Sequence, residues 1–173
     1  VAVRLTLDEE VVLLKRLASE AKLGVLEIGV YLGGTTAELA SAMKSGVPLF
    51  GIDPIKHDQA GVVGSEEEIR ARMVSYGFFT FFKTQSHQAA AGWTAPLDLI
   101  FVDGDHSYEA AKQDFEDWWP LLSDGGHMAF HDAAGSENVN FVGAPGVMRF
   151  TDELIAGGYN MVERVATVRV FKK

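Results

Sequence analysis

Two kinds of apolar run alternate along the chain. One recurs at helical spacing. In TLDEEVVLLKRLASEAKLG, Leu13, Leu17 and Ala21 share a face, and in SYEAAKQDFEDWWPLL, Ala111, Phe115, Trp118 and Leu122 form one stripe. The other kind is short and continuous, of strand length: GVLEIG, PLFGID, FFTFFKTQ, LDLIFVD and GHMAFHD. Caps and stops frame the helices. Thr6 and Glu9 stand at capping-box spacing and Gly24 ends the first helix. GGTTAELASAMKSG reads as a glycine-rich turn into a helix that Gly46 closes. SEEEIRARMVSYG carries a cap, an acidic first turn and a glycine stop. The DGG run at 124–126 is expected to terminate the helix that begins at Ser107.

The remaining stretches are less regular. SHQAAAGW is a short helical or looped piece, and NVNFVGAPGVMRFTDELIAGG is a loop followed by a helix. YNMVERVATVRVFKK closes the chain as two short strands or one bent one. Residues 54–64, with His57 and Asp58, read as a solvated loop. Residues 133–147 form a long irregular segment of the kind that borders substrates. Strand and helix alternate almost to the end, which requires right-handed crossovers and a parallel sheet covered by helices. With no repeat, low-complexity segment or linker, residues 1–173 read as one doubly wound α/β domain.

Charge narrows the function. Fifteen Lys and Arg stand against 24 acids, a net charge of −9, which opposes a nucleic-acid surface. There is no cysteine, hence no disulfide, thiolate nucleophile or thiolate metal site. No apolar stretch approaches the roughly 18 residues of a membrane span, and no charged-then-apolar leader opens the chain. A soluble, cytoplasmic protein without a membrane partner is expected.

In open α/β sheets, ligands bind beyond the carboxyl ends of the strands. After the first strand comes EIGVYLGGTT, a glycine-rich turn. The dinucleotide fingerprint fails, because the next glycine after Gly29 is Gly33 and Tyr31 stands where a pyrophosphate would approach. No Gly-Lys-Ser/Thr follows, so the phosphate-binding loop of nucleotide hydrolases fails too. Such a turn suits a ligand with an amino-acid group and a nucleoside. The second strand ends in Asp53, whose carboxylate can accept from both hydroxyls of a ribose.

VLEIGVYLGGTT, FGIDP and DLIFVDGDHSYEAAKQDFEDWWPLLSDGGHMAFHD, in this order, resemble the class I S-adenosylmethionine-dependent methyltransferases. Within them the chain is similar to small metal-assisted O-methyltransferases of the macrocin and cephalosporin-biosynthesis type, over residues 22–132. The resemblance implies a Rossmann-like seven-stranded sheet, mostly parallel, with one antiparallel strand near the C-terminus. It also implies that Glu27, Gly29 and Gly33 line the methionine part of S-adenosylmethionine and that Asp53 holds the ribose. Ser86 or His87 would lie near the adenine, and Asp103 would border the cofactor.

In that fold Asp103 and Asp132 end neighbouring strands, which lie about 4.8 Å apart, so two carboxylates converge and one would have its pKa raised. A divalent cation, Mg²⁺ or Mn²⁺, relieves the conflict. Asp103, His131 and Asp132 are the candidate ligands, His131 on condition that its strand has begun to turn. His106 is the candidate general base for an acceptor hydroxyl. Against this, Asp105, His106 and Ser107 could simply cap the following helix. The expected reaction is O-methylation of a small acceptor. The alternatives are a non-catalytic nucleotide-binding or oligomerisation module and an NAD-dependent oxidoreductase. A homo-oligomer would complete so bare a site.

Overall fold

The computed structural model describes residues 4–55, 65–136 and 142–173. Its elements are α1 (Asp8–Glu20), β1 (Val25–Ile28), α2 (Gly34–Ala42), β2 (Leu49–Ile52), α3 (Glu66–Met73), β3 (Phe79–Phe82) and α4 (Ser86–Ala90). There follow β4 (Leu97–Val102), α5 (Tyr108–Trp118), β5 (Leu122–Phe130), α6 (Pro145–Ala156), β6 (Met161–Val165) and β7 (Val168–Lys172). The seven strands form one Rossmann-like sheet in the order β3-β2-β1-β4-β5-β7-β6. Only β7 runs against its neighbours, pairing antiparallel with β5 and β6. The doubly wound sheet with one antiparallel strand is thus as expected.

Period-two alternation sorts each strand's side chains between two cores. Leu26, Ile28, Ile100, Val102, Met128 and Phe130 pack beneath α5 and α6, with Trp118 fully buried among them. Val25, Leu49, Leu99, Phe101 and Ala129 face the other way, onto Leu13, Leu14 and Leu17 of α1 and Leu39 of α2. Removing an aromatic such as Trp118 from such a core costs about 3–5 kcal/mol. The Trp118–Trp119 pair belongs to this packing. Trp118 stacks edge-on to Trp93, 5.0 Å between ring centres, and Trp119 lies on Phe115.

Several boundaries differ from the sequence reading: α1 and α2 end at Glu20 and Ala42, ahead of Gly24 and Gly46, and two further differences are larger. Helix α1 is not capped by Thr6 and Glu9. The residue that reaches back is Glu10, whose carboxylate accepts from the Leu7 N–H at 2.8 Å, while the Thr6 hydroxyl meets that of Thr35 at 3.1 Å. The DGG run does not stop α5. That helix ends at Trp118, just before Pro120, and β5 passes through residues 124–126. Pairing jumps from Leu97↔Leu122 to Leu99↔His127, so the glycines form a bulge in β5. The last segment is two strands. His127 lies well inside β5, remote from the strand's carboxyl end. Among the described residues no helix is long and apolar enough to cross a membrane.

Candidate functional site

The strand order reverses between β1 and β4, and the chain leaves these two strands in opposite directions. A crevice must open there. It is a cavity of about 450 Å³, lined by residues that follow the first four strands: Gly29–Tyr31, Asp53 and Pro54, Gln85–His87, and Asp103–His106.

The glycine turn is shaped by its neighbours. Gly29 has φ +90°, and a Cβ there would lie 2.0 Å from the Asp103 carbonyl oxygen, so its hydrogen lets the ends of β1 and β4 touch. Gly33, at φ +75°, is the N-cap of α2. The cavity is lined by Gly34 instead. Asp53 organises the same turn. One carboxylate oxygen accepts from the N–H groups of Val30 at 2.9 Å and Tyr31 at 2.8 Å, and the other from Ile55 at 2.6 Å. Tyr31 and Ile55 both sit at φ 52°, a strained backbone held by this carboxylate.

Glu27 is 1% exposed, yet it borders the cavity and accepts a hydrogen bond from the Thr36 hydroxyl. Burial pushes its carboxyl well above the usual carboxylate range, and the nearby Asp103 and Asp53 add to the push. Ser86 and His87 lie together at the cavity's β3 edge. Ser86 accepts from the Trp118 indole N–H at 2.7 Å.

Beyond Asp103 the charged cluster begins. On the alternation of β4 and β5, Asp103 and His131 follow Phe101 and Ala129 toward α1. They meet at 2.8 Å between Asp103 Oδ1 and His131 Nδ1. The chain turns directly after Phe130, and Asp132 takes φ 54°. The condition for His131 and Asp132 to reach one place is therefore met, with Asp132 Oδ1 3.7 Å from His131 Nδ1. His106 stands between the aspartates, Nε2 3.5 Å from Asp103 and Nδ1 3.5 Å from Asp132. Ser107 separately caps α5 by accepting from the Ala110 N–H at 3.2 Å, so the cap leaves His106 unaccounted for.

One member of the cluster was not anticipated. Glu10 of α1 is 0% exposed, and its Oε2 lies 3.2 Å from His131 Nε2. Its Oε1 accepts from the Thr167 N–H at 2.9 Å and hydroxyl at 2.6 Å, at the β6–β7 turn. The signal existed. Extending the Leu13–Leu17 stripe back one turn lands an acid on the buried face. Burial alone would push His131 down, but Asp103, Glu10 and Asp132 outweigh it and hold the imidazole at about 11. His106 is raised as well, chiefly by its contact with Asp103. Burial would raise Asp103, but the two imidazoles hold it below its ordinary value, whereas burial raises Asp132.

The donor set fits a divalent cation. Asp103, His106 and His131 each offer one ligand atom, all within 4.8 Å of one another, and Asp132 adjoins them. A metal taking His131 would displace the imidazole's proton. A second cavity of about 350 Å³ opens on this cluster, lined by Leu5, Leu7, Glu10, Asp132 and Thr167. It shares Leu5, Asp103 and His106 with the larger cavity. Of the other sequence expectations, His57 and Asp58 lie outside the described residues, as does 137–141 of the irregular segment.

Comparison with known proteins follows the same line. Residues 26–133 match a family described as a methyltransferase domain. The chain is 29% identical over 116 residues to an uncharacterized protein of Acanthamoeba polyphaga mimivirus, covering 62% of this chain and 50% of that one. A second uncharacterized protein, from Sinorhizobium fredii, is 29% identical over 122 residues, 66% of this chain and 13% of its own length. The chain thus spans half or less of these curated relatives. Among solved structures, a protein from Corynebacterium glutamicum superposes with a TM-score of 0.75 at 16% identity, covering 99% of this chain and 83% of that one. The O-methyltransferase TomG of Streptomyces achromogenes, solved with S-adenosylmethionine, gives 0.69 at 19%, over 97% and 81%. An O-methyltransferase of Bacillus cereus, solved with S-adenosylhomocysteine, gives 0.68 at 16%, over 97% and 82%.

Proposed function

Since the chain belongs to the methyltransferase-domain family, we propose that it transfers the methyl group of S-adenosylmethionine to a hydroxyl of a small acceptor, assisted by a divalent cation. The observation that carries this reading is the meeting of the two cavities at Asp103 and His106. A cofactor in the larger cavity would present its sulfonium methyl to that junction, and an acceptor in the smaller one would present its hydroxyl. The sulfonium-bearing neighbour from Streptomyces and the product-bound one from Bacillus support the cofactor.

In this reading Asp53 accepts from one ribose hydroxyl with the lone pair its three backbone donors leave free, and Glu27 and Gly29 border the methionine end. Asp103 and His131, with Asp132 beside them, would hold the cation, which when bound would supply charge that lowers the hydroxyl's pKa. His106, 41% exposed at the junction, takes the hydroxyl proton on a ring nitrogen. The oxygen then attacks the methyl carbon as the carbon–sulfur bond breaks, leaving the neutral thioether. Catalysis is mainly positioning, because the sulfonium already carries an activated methyl.

Calorimetric titration with S-adenosylhomocysteine, in Mg²⁺ and in chelator, tests the reading. Micromolar binding that Asp53→Ala weakens at least about tenfold, the scale of a lost charged hydrogen bond, is the expected result. NAD serves as the competing ligand. Binding of NAD and not of S-adenosylhomocysteine would overturn the proposal.

A further inference from the structure

One buried acid on the wall of the larger cavity has no part in the scheme above. Asp114 of α5 is 6% exposed and lines the cavity beside Ser86, His87, Ala110 and Gln113. Its hydrogen-bond partner is the Ser86 hydroxyl, which in turn accepts from the Trp118 indole. No ion pair joins it to a cation among the described residues. Asp117 and Asp105 are nearby and unfavourable, while Ser86 and His87 favour its charged form. Burial, reinforced by those acids, pushes its carboxyl up to about 6 despite Ser86. The fold therefore carries an acceptor group at a cost to its own stability, on a cavity wall, as binding sites do.

The rest of the cavity restricts what Asp114 could meet. Asp53 stands at the ends of β1 and β2, and Glu27 and Gly29 border the β1 end. The edge built from β3 and α5, where Asp114 lies, is left for the nucleobase. A carboxylate there accepts N–H and repels carbonyl oxygen. The geometry points to Asp114, braced by Ser86 and Trp118, as the residue that selects a 6-aminopurine by accepting from its exocyclic amine. This rests on the cofactor reading above and adds to it the group that decides which base is accepted.

The test compares S-adenosylhomocysteine with S-inosylhomocysteine, which carries a 6-oxo group in place of the amine. Both are titrated calorimetrically into the wild type, Asp114→Asn and Asp114→Leu, with thermal melts to establish that each variant folds. The wild type is expected to prefer the adenosyl compound by at least about 10- to 100-fold, the range of a charged hydrogen bond. An asparagine amide can turn either its oxygen or its NH₂ to the base, so Asp114→Asn should bind both within about threefold. Asp114→Leu should lose the preference and weaken the adenosyl compound about tenfold. Near-equal binding of both compounds by the wild type would overturn the inference, as would a preference unchanged in Asp114→Asn. Wild-type protein that binds neither compound would instead overturn the cofactor reading and take this inference with it.

Discussion

The cofactor edge and the charged cluster sit side by side on the same sheet, yet they are built in opposite ways. Along the cofactor edge each residue is held by its neighbours in sequence or on the next strand. Gly29 abuts Asp103, and Asp53 receives the backbone of Val30, Tyr31 and Ile55. The cluster draws on the whole chain. His131 comes from the end of β5, His106 from the turn before α5, the outer carboxylate Glu10 from α1 and Thr167 from the β6–β7 turn. A turn can bind a ligand when one strand end is right. The cluster exists only when the fold is complete.

The largest effect expected on this contrast is at His106. His106→Gln keeps hydrogen-bonding capacity but not basicity, and should lower kcat about 10²- to 10⁴-fold once an acceptor is in hand. S-adenosylhomocysteine affinity should stay within about threefold, because no hydrogen bond of His106 supports the glycine turn. A parallel loss of cofactor affinity would erase the distinction between the two regions.

Glu10 tests the other side. It lies outside residues 26–133, yet it joins α1 to His131 and to Thr167, 157 positions away. Glu10→Leu leaves a buried imidazolium short of one carboxylate and removes the acceptor of two Thr167 donors, so it should cost about 3 kcal/mol. Thermal or urea unfolding measures this. Combined with Thr167→Val, the loss should be markedly less than additive, since both substitutions break the same contacts. Additive losses would mean that the Glu10–Thr167 contact contributes nothing to stability, leaving Glu10 to act through Leu7 and His131.

The same contrast decides what was legible in the sequence. The glycine turn, Asp53 and the paired ends of β4 and β5 announce themselves because short apolar runs stop at polar residues, and strand ends are where such sheets bind ligands. Asp103, His106, His131 and Asp132 could be named, and the structure brings them together. Glu10 could not be placed opposite His131 without the crossing of α1 over the sheet. Asp114 is, in sequence, one polar residue among several on an amphipathic helix. Its burial against Ser86 depends on how α4 lies beside α5. The DGG run misled for a related reason. Glycines mark irregularity, but whether they end a helix or bulge a strand is settled by pairing with β4.

The smallest expected effect separates capping from chemistry within three residues. Asp105 accepts from the Ser107 N–H at 2.8 Å, and Ser107 accepts from the Ala110 N–H at 3.2 Å, so the turn before α5 is held whether or not His106 reacts with anything. Ser107→Ala should therefore cost about 1 kcal/mol of stability, the value of a lost N-cap. It should leave kcat within about twofold under conditions where the protein is folded. His106→Gln should do the reverse, with little change in unfolding and a large one in turnover. If Ser107→Ala depressed turnover as strongly as His106→Gln, the cap would be what positions the base. The cluster would then depend on local sequence as much as the cofactor edge does.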